Sequence, residues 1–260
     1  METLEINSLF RKRIGIPENE VITWSKLDYV LEKTAQALPF ENLAVIENRR
    51  YKISKENLMN KILVNHEGGL CYELNPLFYL FLIENGFDAK LVRGSVYDNE
   101  NKMFQRLGST HVSILITLQE NTYLIDTGFG ANLPLKPVPL TGETVFSKNG
   151  EFRIKKTNNE YGDHILEMKL TDKHTDWAKG YAFYSNRPMA DTSELAEIQS
   201  VIYDNENSPF NKSPLISIFT SNGRILLTNT HYTQWIDSVK QKEKIDKEEF
   251  EKLANYFMEK

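Results

Sequence analysis

The chain has 260 residues, 40% of them hydrophobic, and a formal net charge of −5. That is enough for one elaborate domain or two to three small ones with a real core, and it leaves no electrostatic footprint for a polyanion, so no nucleic-acid partner is expected and an anionic ligand has to be held by local donors. A single cysteine rules out an intrachain disulfide, no apolar run approaches the roughly 20 residues of a membrane span, and Met1–Arg13 lacks the apolar run of a signal peptide; the expected setting is cytoplasmic, with no membrane partner.

Up to about residue 85 the sequence reads mostly as helix. Thr23 or Ser25 caps a segment through Ala37 that Pro39 ends, Ser54 caps a second through Asn65, and a third runs from Cys71 to Gly86. Pro76 also suits a first helical position with Asn75 as its cap, which would leave Cys71 on an irregular turn. From Lys90 the period changes to two, with strands expected at Lys90–Tyr97, Thr110–Leu118, Thr122–Phe129, Phe152–Thr157, His164–Leu170 and Gly180–Tyr184, a sheet or small barrel. After Asn186-Arg187-Pro188 come a helix near Ser193–Tyr203 and strands Leu215–Thr220 and Ile225–Thr228. Asn222-Gly223 between those strands predicts a hairpin with a type I′ turn, because that pair accepts positive φ. Asp246–Met258 is an amphipathic helix, and the Lys/Glu-rich run Lys240–Lys252 reads as a solvated helix face.

The only cysteine lies in His66-Glu67-Gly68-Gly69-Leu70-Cys71-Tyr72-Glu73-Leu74-Asn75. A lone cysteine is ordinarily a small inert hydrophobe. Here two glycines precede it, free to bend tightly or to approach another segment closely, and a helical pattern starts at it, which aims backbone N–H groups at the sulfur and favours thiolate. A free thiol titrates near about 8.5, and a helix end supplies only about 1 kcal/mol, so a charged histidine has to supply much of the remaining stabilisation.

Five histidines are available: His66, His111, His164, His174 and His231. In Thr110-His111-Val112-Ser113-Ile114-Leu115-Ile116, strand alternation sends Val112, Ile114 and Ile116 one way and His111 and Ser113 the other. The next strand carries Asp126 in an apolar run, where an ionised carboxylate is costly unless paired. If Leu118–Asn121 is the connection, Thr117 pairs with Thr122. Asp126 then lies opposite Ser113, diagonal to His111 on one face and about 7 to 8 Å away at the backbone; a slip of one residue would put the two on opposite faces. Together the three residues form a nucleophilic set: Asp126 orients His111, His111 takes the thiol proton, and Cys71 attacks an activated acyl carbon, with backbone N–H groups near Cys71 as oxyanion donors. The same order of Cys, His and Asp suits a thiol hydrolase or transglutaminase-like enzyme, a papain-like version would use His231 instead, and a non-catalytic small-molecule binder is a third reading. One thiol and scattered histidines lack the spacing of a zinc site, so no metal is expected.

In Pro39-Phe40-Glu41-Asn42-Leu43, Gly68–Asn75, Thr110-His111-Val112 and Asp126-Thr127-Gly128-Phe129-Gly130, in that order, the chain resembles the arylamine N-acetyltransferases. Ser208-Pro209-Phe210 and Gly223-Arg224 are weaker landmarks of the same likeness. The resemblance implies an α+β fold with a cysteine-proteinase-like core: an N-terminal helical bundle with the cysteine over residues 1–86, a β-barrel with His and Asp over 87–186, and a C-terminal α/β lid over 187–260. It also implies a ping-pong reaction in which acetyl-CoA, as co-substrate, acetylates Cys71 and an arylamine, arylhydrazine or arylhydroxylamine takes the acetyl group, a chemistry of xenobiotic metabolism. By position, Phe40 and Phe129 would line the acceptor pocket, and Thr110, Gly128, Phe129, Gly130 and Ala131 would contact CoA through free backbone amides. The family usually has Arg immediately before the two glycines. This chain has Glu67, whose charge would oppose thiolate formation and repel Glu41. Thr127 in place of a small apolar residue is a minor departure.

Overall fold

The computed structural model describes residues 5–237 and 239–258. The N-terminal part consists of α1 (Ile6–Ile14), α2 (Leu27–Ala37), the two-residue strand β1 (Phe40–Glu41), α3 (Lys55–Leu58), which runs straight into a π-helical stretch at Met59–Val64, and α4 (Cys71–Glu84). Ser54 caps α3 by accepting from the Asn57 N–H, whereas neither Thr23 nor Ser25 caps: Trp24–Lys26 forms a 3-10 turn before α2, and the two hydroxyls face each other at 3.1 Å. Helix α4 begins at Cys71 itself, not after Asn75 as a cap. Every residue from Cys71 to Phe78 is buried, so tertiary packing sets the start of the helix, and Pro76 sits inside it at the cost of one backbone bond.

The middle of the chain supplies β2 (Asp88–Asp98), β3 (Met103–Phe104), β4 (His111–Leu118), β5 (Asn121–Ile125), β6 (Val138–Pro139), β7 (Val145–Ser147), β8 (Gly150–Asn159), β9 (Gly162–Leu170) and β10 (Ala178–Pro188). Eight of these form an antiparallel sheet in the order β6-β5-β4-β2-β10-β9-β8-β7, curled into a nearly closed barrel, with β3 paired to β2 off that path. Thr117 pairs with Thr122, the pairing expected from the sequence, and the ladder runs one step further to Leu118 and Asn121 around a two-residue turn in which Gln119 has φ 55°. Alternation on β4 divides two cores. Val112, Ile114 and Ile116 pack against α1, α2 and α4, while Leu115 joins the barrel interior with Leu124, Phe152, Leu166 and Phe183. β5 ends at Ile125, four residues before the expected end, because Asp126, Thr127 and Gly128 leave the ladder and turn over the start of α4.

Beyond the barrel lie α5 (Ser193–Asp204), β11 (Leu215–Thr220), β12 (Gly223–Thr228), β13 (His231–Ile236), β14 (Val239–Lys244) and α6 (Lys247–Met258). The strands extend β1 into a second antiparallel sheet, β1-β11-β12-β13-β14, which packs on α6 through Ile216, Leu227, Phe250 and Phe257. Two expectations are corrected here. The β11–β12 hairpin turns at Ser221-Asn222, since Thr220 already pairs with Gly223, and no residue of that turn has positive φ, so it is not type I′. Gly223 instead lies flat against the Trp235 carbonyl of β13. The run Lys240–Lys252 is also not one helix face. Its first half belongs to β14, an edge strand exposed at all six positions whose lysines discourage pairing with another chain.

Among the described residues no helix is long and apolar enough to cross a membrane. Phe78 is fully buried and its ring packs against Phe10 and Phe81, at 5.7 and 6.0 Å between centroids. Phe78→Ala is therefore expected to lower the urea unfolding free energy by about 3–5 kcal/mol with m unchanged, whereas Val21→Ala, at a residue 71% exposed, changes it by less than about 0.5 kcal/mol.

Candidate active site

Asp126 is buried at 2% exposure, and both of its oxygens are met by donors. His111 Nε2 lies 2.7 Å from Oδ2, and the Tyr181 hydroxyl donates to the same oxygen at 2.8 Å. Oδ1 accepts from Asn75 Nδ2 at 2.9 Å and from the Gly128 N–H at 2.8 Å. Donors come from α4, β4, β10 and the turn after β5, so the carboxylate ties the helical part to the barrel. Burial, and after it Asp126, hold the Tyr181 hydroxyl well above its ordinary titration range, which keeps it a neutral donor.

Asn75 completes that tie. It follows Cys71 by four residues, one helical turn on, so both project from the same side of α4. Its Nδ2 also donates to the Val112 carbonyl, and its Oδ1 accepts from the Thr127 N–H and hydroxyl at 2.8 and 3.0 Å. Gly128 is required by the same approach: a Cβ there would lie 2.7 Å from Cys71 Cα and 2.8 Å from Asn75 Nδ2.

Cys71 is 7% exposed at the first position of α4, and its thiol lies 3.6 Å from the Thr110 carbonyl. His111 turns Nε2 to Asp126, which leaves Nδ1 for the sulfur, and both groups act on the charge of the ring. Burial alone would lower the imidazole. Asp126 and Cys71 outweigh it and raise His111 to about 10, so the ring is held as a cation beside the thiol.

The glycines before Cys71 serve close approach, with ordinary φ at both: a Cβ on Gly68 would lie 2.2 Å from the Pro39 carbonyl. Glu41 donates its N–H to the Gly69 carbonyl, and Gly69 donates to Pro39, so Phe40 and the cysteine loop form one unit. Phe40 packs edge-on to Phe210 at 5.8 Å, and Phe129 lies 5.0 Å from His111 and 5.1 Å from Tyr181 between ring centroids. Asn42, in the same motif, is structural: it donates to the carbonyls of Phe210 and Ser213 and accepts from the Leu215 N–H.

The structure thus gathers Cys71, Thr110, His111, Asp126, Gly128 and Phe129, with Phe40, Gly130 and Ala131 at the edge of the group. One expectation is corrected: the Gly128 amide is not free, since it and the Thr127 amide are engaged with Asp126 and Asn75. Glu67 does not face the thiol. Its carboxylate pairs with Arg49 at 3.0 Å, and its side chain is 24% exposed. His231 lies on β13 in the second sheet, bonded to Thr230. A cavity of about 380 Å³ is lined by Asn149, Asp172, Arg224 and Trp235; it holds two ion pairs, Arg224 with Asp172 and Lys148 with Glu32, and none of Cys71, His111 and Asp126 lines it. Among the described residues no three of His, Cys, Asp and Glu are placed to hold a metal ion.

A family model described as N-acetyltransferase matches residues 23–258. The uncharacterized acetyltransferase YvcN of Bacillus subtilis is 41% identical over 216 residues, 83% of each chain. Arylamine N-acetyltransferase C from Bacillus anthracis superposes with a TM-score of 0.92 at 38% identity, covering 99% of both chains. The NAT3 arylamine N-acetyltransferase of Bacillus cereus, described as having a Cys-His-Glu catalytic triad, gives 0.91 at 40% identity over 97% of both. In the present chain the carboxylate beside His111 is an aspartate.

Because the His111 value in the fold is raised above the ordinary 6.5, the stabilisation this carries is complete below pH 6.5 and is lost as pH climbs through about 10. NMR titration of the His111 ring is expected to show it protonated well past neutrality, and Asp126→Asn to bring its midpoint down.

Proposed function

The chain belongs to the arylamine N-acetyltransferase family, and from that premise we propose that it carries an acetyl group from acetyl-CoA to an aromatic amine, hydrazine or hydroxylamine by a ping-pong route through a thioester on Cys71. The observation that carries this reading is a buried His111 bonded to a fully satisfied Asp126 and raised by that carboxylate and by Cys71. His111 takes the thiol proton, and Asp126 stabilises the resulting imidazolium and fixes which ring nitrogen faces the sulfur.

In the first half-reaction the thiolate attacks the carbonyl carbon of acetyl-CoA. The C–S bond to CoA breaks, CoA leaves as a thiol with the proton from His111, and the acetyl group stays on Cys71. In the second half-reaction the acceptor nitrogen attacks the acetyl carbon, His111 accepts a proton from that nitrogen, and the Cys71 thiolate departs. Backbone N–H groups at the start of α4 serve the developing oxyanion. Phe40 and Phe129, with Phe210 beside Phe40, form the aromatic wall for the acceptor. Thr110 and the turn Gly128–Ala131 form the side on which CoA lies, its contacts coming from groups other than the engaged Gly128 amide. In this reading residues 1–86 carry the nucleophile, 87–186 the base and its carboxylate, and 187–260 cover the site.

Intact-mass spectrometry after mixing with acetyl-CoA and no acceptor is expected to show one added acetyl group, absent in Cys71→Ala. Adding an aromatic amine should discharge it with formation of the amide. An unmodified wild-type protein contradicts the proposal, and rapid release of free acetate without any amine would mark a thiol hydrolase instead.

A further inference from the structure

Beneath the cysteine loop two carboxylates are buried together, Glu41 at 1% and Glu73 at 2% exposure, and Lys61 at 5% is the cation that meets both. Its Nζ lies 2.6 Å from Glu73 and 3.6 Å from Glu41. We propose that Lys61 is a positioning residue for the nucleophile: its buried charge holds Glu41 and Glu73 in place, and these two side chains hold the segments that carry Phe40 and Cys71. This rests on reading Cys71 as the nucleophile.

Each acid is tied to the loop by a separate route, Glu73 through its carboxylate and Glu41 through its backbone. Glu73 Oε2 accepts the Leu70 N–H at 2.9 Å, one residue before Cys71, while Oε1 accepts from Lys61 and the Tyr51 hydroxyl. Glu41 Oε2 accepts the Leu43 N–H at 2.5 Å, and the Glu41 backbone bonds the Gly69 carbonyl. Its Oε1 accepts no hydrogen bond and faces the Lys61 charge at 3.6 Å. Among the described residues Lys61 is the side chain that pairs with both acids.

The local structure explains how a lysine comes to point inward. It sits in the π-helical stretch Met59–Val64, where the wider turn brings Met59, Lys61, Ile62 and Leu63 to the interior. Burial raises Glu73 well above the usual carboxylate range, with Glu41 adding to the rise, and burial lowers Lys61 while Glu41 opposes the fall. Deprived of Lys61, the two acids would take up a proton or swell the loop, and the Leu70 N–H that Glu73 holds one residue before Cys71 would lose its fixed position. Glu67 has no such part, because its charge meets Arg49 at the surface. The charged and titratable groups facing Lys61 are Glu41, Glu73 and Tyr51, with Arg49 and Glu67 further out; those facing Cys71 are His111, Tyr72 and Tyr181, with Asp126 behind His111.

The test is the pH dependence of Cys71 alkylation by iodoacetamide in Lys61→Gln, Lys61→Arg and Glu67→Gln, with kcat and KM for acetyl transfer and Tm measured alongside. Lys61→Gln is expected to move the half-maximal pH of alkylation upward by about one unit, about ten-fold slower on the acid limb, and to lower kcat with KM for the amine held within about two-fold. Lys61→Arg should restore fast alkylation, and Glu67→Gln should leave the profile unchanged. A Lys61→Gln profile and kcat equal to wild type, whatever its Tm, overturns the inference. If Lys61→Gln does not fold, Lys61→Met decides by the same readouts: an upward shift of about one unit with lowered kcat supports the inference, and a profile and kcat equal to wild type overturn it. A wild-type thiol no more reactive than free cysteine overturns the nucleophile reading and this inference together, whereas a reactive wild type with an unaffected Lys61→Gln overturns the inference alone.

Discussion

Asp126 is ionisable, 2% exposed and set where two apolar cores meet, a position that destabilises a fold by several kcal/mol unless the charge is met by donors. Four donors meet it. The tyrosine of β10 and the histidine of β4 bond one oxygen, and the asparagine of α4 and the amide of Gly128 bond the other. Each comes from a different part of the chain, so the requirement to satisfy one charge is also a requirement to bring helix, hairpin and barrel wall together. The result is an imidazole with one nitrogen fixed and the other turned to the only thiol in the molecule.

A second buried ionic group does for the loop what Asp126 does for the ring. Glu73 binds the backbone of the cysteine loop at Leu70, Glu41 binds that of the Phe40 segment at Leu43, and Lys61 holds both acids. The strand Phe40–Glu41 is shared: it bridges to Gly69 on one side and pairs with Ser217 and Ile216 on the other. The C-terminal sheet is thereby joined to Phe40, and Phe40 to the cysteine loop. Local backbone geometry supports this without strain at the glycines before Cys71, which are needed for close approach.

Much of the site was legible in the sequence because it depends on short-range rules. Alternation along β4 and the length of the hairpin were enough to give the pairing of Thr117 with Thr122, but the ladder stops at Ile125, so Asp126 meets His111 from the turn beyond it and not from a ladder position opposite Ser113. The start of α4 was harder: Pro76 and Asn75 together mimic a helix N-terminus, and only burial of the whole segment Cys71–Phe78 shows why the helix begins earlier. Asn75 and Tyr181 went unassigned for different reasons. Asn75 had a local clue, its spacing of one turn from Cys71, hidden by its resemblance to a cap. Tyr181 had none, since its contact with Asp126 depends on how the barrel closes, which no local pattern encodes. Glu67 misled in the same way: its neighbours in sequence suggested a charge beside the thiol, whereas Arg49 draws it to the surface and Lys61, six residues earlier, supplies the buried cation. The hairpin at Asn222-Gly223 shows tertiary packing overriding turn preference, with Gly223 taken into the ladder beside Trp235.

The central claim is that Asp126, through His111, keeps the Cys71 sulfur ionised. Its most direct measurement is the ultraviolet absorbance of the thiolate followed against pH in the wild-type protein and in Asp126→Asn. The account predicts that the absorbance persists in the wild type to well below the range of a free thiol and disappears at a distinctly higher pH in the variant. Identical titrations in the two proteins, or a wild-type sulfur that titrates like free cysteine, would contradict it.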